Sequence, residues 1–140
     1  MPTLDTVFEI CPRGLLGFLD TWDATLLRQC STLAREVVAE FPWEDKATRI
    51  TGSLHQWRTC YPNARAANIS ARGDLRDEDF SHLRGVHTLD MSNCSQSTIT
   101  DAAFAHLRGI HTLNMSVCTQ STITDAAFAH LCGIDTLIRE

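Results

Sequence analysis

Eleven residues are written twice in this chain: STITDAAFAHL occupies Ser97–Leu107 and again Ser121–Leu131. The likeness extends upstream, where RGVHTLDMSNCSQ is answered by RGIHTLNMSVCTQ, so Leu83, Leu107 and Leu131 fall on a strict period of 24 residues. A fixed period in that range is the mark of a solenoid, whose units bury their apolar faces only against their neighbours.

Residues Ile110–Ile134 form one such unit. Ile110, Leu113 and Met115 follow L-x-x-L-x-L, the spacing of a short parallel strand with its apolar side chains inward. Cys118 then turns the chain, and ITDAAFAHL reads as a helix. Thr124 or Asp125 can cap its amides, and Ile123 stands where a hydrophobic staple would. Ala127, Phe128 and Leu131 share the inward face at helical spacing, and Gly133 ends the helix as Gly85 and Gly109 do before it. Between the buried strand positions, Thr88, Asp90 and Ser92, then Thr112, Asn114 and Ser116, point outward. They make a polar sheet face and a candidate partner-binding surface.

The array reaches further back. ANISARGDLRDEDFSHL matches the unit with its turn shortened by two, and RITGSLHQWRTCYP offers a strand near Ile50 and a helix carrying Leu54 and Trp57. Strands are expected to centre on Ile50, Ile69, Met91, Met115 and Arg139, at spacings of 19, 22, 24 and 24. The sequence ends in TLIRE, within the fifth of these. Phe128, Leu131 and Leu137 are therefore expected to lie at an open C-terminal end, where an unpaired strand edge favours self-association or a dedicated partner.

Residues Leu4–Trp43 carry no repeat. Their apolar positions predict three helices, the last capped by Asp23 and closed at Pro42. A module of about forty residues rarely stands alone, so it should pack on the first repeat or on a partner.

LLGFLDTWDATLLRQCSTLAREVV resembles the second half of an F-box, and MSNCSQSTITDAAFAHL is similar to the cysteine-containing class of leucine-rich repeats. Together they look like the F-box/leucine-rich-repeat proteins, of the kind multiplied in large DNA viruses of amoebae. The fold expected is α/β: a short leucine-rich-repeat solenoid, with parallel strands on one face and helices on the other, behind an α-helical F-box-like module. The module takes residues 1–45 and the array 46–140. The array divides into an irregular cap unit (46–66), a short repeat (67–88), two regular repeats (89–112 and 113–136) and a truncated strand (137–140). The resemblance implies a non-catalytic adaptor, the substrate-recognition subunit of an SCF-type ubiquitin ligase. Leu16, Leu19, Trp22 and Leu26 would dock on a Skp-like linker protein while the repeats hold a protein target. The alternative is a structural or assembly protein using the solenoid as a packing block in a larger complex.

The charge and the chemistry agree with a binding role. A formal charge of -5 argues against nucleic acid, and there is no apolar run of about 18 residues for a membrane span. MPTLDTVFEI lacks the order of a signal peptide, so reduced thiols in the cytosol, or in the host cytosol or nucleus for a viral protein, are expected. His82, His106 and His130 form one column, and His87 and His111 another. Repeat duplication explains both without a metal, and no cofactor is expected. Cys94 and Cys118 lack a histidine at fixed spacing to act as base. Asp77, Asp101 and Asp125 sit in first helical turns, where they complement the helix dipole. No catalytic constellation or phosphate loop emerges.

Overall fold

The three-residue strands form where Thr-Leu-Asp, Thr-Leu-Asn or their equivalents recur. The computed structural model describes Thr21, Ala24, Gln29 and residues 32–139. Its elements run α1 (Thr32–Glu40), α2 (Leu54–Cys60), β1 (Ala66–Asn68), a 3₁₀ segment (Asp77–Leu83) and β2 (Thr88–Asp90). Then come α3 (Asp101–Phe104), continued as 3₁₀ to Leu107, β3 (Thr112–Asn114), α4 (Asp125–Phe128) and β4 (Thr136–Ile138). The strands make one parallel sheet in the order β1-β2-β3-β4, with Ala66, Thr88, Thr112 and Thr136 in register. This is an α/β segment of the leucine-rich-repeat type, with parallel strands alternating with helical segments. Among the described residues no helix is long and apolar enough to cross a membrane.

Columns of like residues build the core. Leu89 and Leu113 point inward from their strands, at 1% and 0% exposure. Ile69, Met91 and Met115 follow two residues after the central strand positions, and Phe80 and Phe104 come from the helical side, all buried. Each such side chain contributes about 1.5–3 kcal/mol by leaving water. Gly85, Gly109 and Gly133 close the helical segments at φ of 84° to 85°, a left-handed conformation that glycine adopts without a Cβ clash.

The strands sit two residues upstream of the expected centres. The ladder nevertheless runs on to the residues expected: Ile69 N–H donates to Asp90 C=O and Met91 N–H to Asn114 C=O, each at 2.8 Å. Near Ile50 the expected strand shrinks to a single bridge, Arg49 with Asn68. Arg72, 8% exposed, holds that segment by donating to the carbonyls of Ile50 (3.1 Å) and Gly52 (2.7 Å). The expected repeat helices are shorter than drawn, one α-turn passing into 3₁₀ in the first full repeat and 3₁₀ throughout Asp77–Leu83. A 3₁₀ segment rises about 2.0 Å per residue against 1.5 Å in an α-helix, so a short run spans more of the way back to the next strand.

On the N-terminal side, Ala34 and Val38 of α1 and Leu54 and Trp57 of α2 are buried in the same apolar cluster as the repeats. Trp43 seals the join, its indole N–H donating to Val38 C=O at 2.9 Å and its ring meeting Phe41 and Tyr61 edge-on. Asp45 ties down the loop beyond it. Its carboxylate accepts from Thr21 N–H and hydroxyl (both 2.9 Å) and from the amides of Ala47 and Thr48 (both 3.0 Å). Burial pushes this carboxyl up, but hydrogen bonds from Thr48 and Thr21 outweigh that effect and hold its pKa at about 2. The first two expected helices, the Asp23 cap and the expected docking residues Leu16, Leu19, Trp22 and Leu26 lie outside the described residues.

Candidate functional site

The polar sheet face forms, with one side-chain oxygen of Asp90 and one of Asn114 already engaged. Asp90 Oδ1 accepts from Ser92 N–H (2.9 Å) and from its hydroxyl (2.7 Å), and Asn114 Oδ1 accepts from Ser116 N–H (3.0 Å). Asn68 holds Ser70 in the same way one repeat earlier. These side chains turn the chain out of each strand, as Asx side chains do. Thr88 and Thr112 remain as the half-exposed surface of the face.

Where the turn leaves the strand, Ala71, Asn93 and Val117 adopt φ of 56°, 60° and 57°. Asn tolerates this region; a β-branched residue there is an outlier. Val117 is also 54% exposed, and with Leu137 (37%) and Ile138 (41%) it makes up the exposed large apolar residues among those described. Ile138 pairs with Asn114 in the ladder and takes the outward position that Asn68, Asp90 and Asn114 fill before it. The apolar surface thus gathers beside the last two strands, and neither Val117 nor Ile138 was expected from the sequence. Their signal was a break in the repeat: Val where the preceding copy has Asn, Ile where it has Asp or Asn.

Of the residues expected at the open end, only Leu137 is exposed as drawn. Leu131 is 3% exposed and belongs, with Leu83 and Leu107, to the shared apolar cluster. Phe128 is half-buried, its ring 6.2 Å from that of Phe104 and covered by the Arg139 guanidinium at 4.5 Å, a favourable cation–π placement.

The acidic column does more than complement helix dipoles. Thr100 and Thr124 are the N-caps of α3 and α4, each hydroxyl accepting from the amide two residues on. The aspartate one repeat earlier holds each cap. Asp77 accepts from Thr100 N–H and hydroxyl at 2.6 Å, and Asp101 accepts from Thr124 N–H and hydroxyl at 2.6 and 2.5 Å. The Thr124 contacts keep the Asp101 carboxyl below its ordinary range. On the opposite edge, Arg84 donates to His106 Nδ1 at 3.1 Å and Arg108 lies 3.4 Å from His130 Nδ1.

Ring contact joins the members of one histidine column. His87 and His111 rings are 5.0 Å apart, and His111 Nδ1 is 3.0 Å from Asp135 Oδ2. No group of three or more His, Cys, Asp or Glu among the described residues is placed to hold a metal ion. The thiols of Cys94 and Cys118 donate back one repeat, to Ile69 C=O (3.2 Å) and Met91 C=O (3.1 Å). Burial pushes both thiols up, away from the thiolate that a nucleophile needs.

No protein-family model matches the sequence, and no curated protein matches it. Among solved structures, a chain of the Drosophila Toll–Spatzle complex, titled "a molecular hub in Drosophila development and innate immunity", is similar over 75% of this chain. The TM-score is 0.54 and the identity 14%. This chain spans 14% of that one. At that identity the likeness speaks for the fold, that of a leucine-rich-repeat segment.

Proposed function

We propose that this chain is a protein-interaction adaptor, and that its N-terminal residues act as an F-box-like module docking on a Skp-like linker protein of an SCF-type ubiquitin ligase. The observation that carries this reading is the shared core: α1 packs with the repeats in one apolar cluster. A helix that shares its core with a repeat array can hold a target at a set distance from a ligase. That raises the target's effective concentration with no chemistry by the adaptor itself. The repeat fold favours protein partners, as in the solved complex of Toll with Spatzle, and the exposed residues around Val117, Thr112 and Ile138 supply a surface for the target. The adaptor works in the cytosol, where its thiols stay reduced.

Co-purification with a Skp-like linker from a eukaryotic host tests this. The native chain is expected to retain the linker, and Leu19→Asp and Leu26→Asp to lose it while the repeats remain folded by circular dichroism. A native chain that retains no linker, or two variants that retain it as well as the native chain, would leave the solenoid as a structural packing block.

A further inference from the structure

A cleft of about 430 Å3 opens beside the C-terminal end of α1, lined by Glu40, Arg58, Pro62, Arg65, Arg84 and Gly85 among others. Its floor is Arg58. That guanidinium donates to the carbonyls of His82 (2.7 Å), Arg84 (2.9 Å), Pro62 (3.2 Å), Ala64 (3.2 Å) and Tyr61 (3.3 Å). It also lies 4.8 Å from the centroid of the Trp57 ring. Five neutral acceptors fix the head group, and none cancels its charge. A half-buried cation without a counter-ion is costly unless an anion is brought to it.

The rim adds to the imbalance. Arg65 and Arg84 are exposed, and the carboxylates within reach of a basic side chain among the described residues are Asp74, beside Arg72, and Asp135, beside the His111 ring. None of the three cleft arginines therefore has a described carboxylate partner, although Glu40 lines the same cleft. In a chain with a net charge of -5, this is a local inversion of sign. Arg108 continues the basic edge one repeat further, beside His130.

We propose that this cleft seats an acidic peptide segment of a partner protein. Arg65 and Arg84 supply charge-assisted hydrogen bonds to its carboxylates. Arg58, its N–H groups already engaged, supplies the field beneath them. In an extended segment every second side chain faces the same way at about 7 Å intervals, so successive acidic residues run from the cleft toward Arg108. The site borders the first strand of the sheet face, where Arg65 also lines a pocket with His87 and Thr88, and it is independent of the F-box-like reading.

The test is fluorescence anisotropy of a labelled oligoglutamate peptide against the full chain, at low and at physiological salt. The native protein is expected to bind, more weakly as salt rises. Arg65→Ser with Arg84→Ser should weaken binding about tenfold or more, and Arg65→Glu alone should also weaken it. Arg49→Ser with Arg76→Ser removes the same charge elsewhere and should leave binding within about twofold of native. Thermal unfolding of each variant confirms that the fold survives. The proposal is overturned if the native chain does not bind, or if the control pair loses as much affinity as the cleft pair. A single-stranded oligonucleotide that binds as tightly and responds to the same variants would equally overturn it.

Discussion

Val117→Asn should make the protein more stable, although it removes an apolar side chain. Val117 holds φ at +57°, and the left-handed region costs an L-residue about 1–2 kcal/mol. Asn relieves most of that cost, because its short polar side chain bonds locally to the backbone. The same chain already uses this solution: Asn93 fills the equivalent position one repeat earlier at φ +60°. Against the gain stands lost burial. Val117 is 54% exposed, so the penalty is under half of the full side-chain value, about 0.7 kcal/mol at the low end of that range. The net expectation is stabilisation by about 1 kcal/mol, a rise in Tm of about 3 °C for a chain of this size.

Urea unfolding should register the change as a higher midpoint with an unchanged slope, the sign that stability moved and the exposed area did not. The reciprocal Asn93→Val should lower stability by about 1–2 kcal/mol. If Val117→Asn is neutral or destabilising while Asn93→Val costs nothing, backbone strain is not what distinguishes the two turns. If the stabilised variant also loses a protein target, strain at Val117 is retained for contact, as strained residues at functional sites often are.

Four further outcomes are expected. Asp45 has a depressed pKa, so its contribution is present above its ordinary value near 3.8 and is lost as pH falls toward about 2. Discounted for its partial exposure this amounts to about 1 kcal/mol, and Asp45→Asn should flatten the acid limb of stability against pH by that amount. Cys118→Ala should cost about 1–3 kcal/mol through lost packing and the lost bond to Met91 C=O, while chelators and reductants leave Tm unchanged. Leu107→Ala, at a site 2% exposed, should cost about 2–5 kcal/mol in denaturant unfolding. Gly109→Ala meets no atom within 4 Å, so its loss of about 1 kcal/mol should come from the backbone at φ +85° alone.

The repeat was legible because its period and its buried residues are the same fact. Leu89, Leu113 and Phe104 are apolar for the reason that they recur, and the stacking of strands follows from it. The strand boundaries were less legible: Met91 and Met115 close the ladder without belonging to the strands, which apolar spacing cannot reveal. Leu131 reads as uncovered from the sequence because its place in the shared apolar cluster appears only once the units stack. Asp90 and Asn114 read as free surface because their partners, two residues on, appear only once the backbone turns. The arginine cleft stayed hidden for a related reason. Arg58, Arg65 and Arg84 share no spacing, and only the irregular turn after α2 brings them together. The Arg84–Arg108 recurrence at 24 residues was the one trace of it.

The clamp from Asp77 to Thr100 and from Asp101 to Thr124 bears on how such a chain changes length. A copied block of 24 residues contains both halves of the joint: a threonine that the upstream aspartate grips, and an aspartate ready for the threonine downstream. The joint is therefore indifferent to how many blocks stand in the row. Splicing a third copy of residues 101–124 after Thr124 would present each threonine with an aspartate and each aspartate with a threonine, with no substitution needed at the seam. Duplication of such a stretch creates a lengthened protein that already fits itself, so array length can drift in a lineage ahead of any selection on what the longer surface binds.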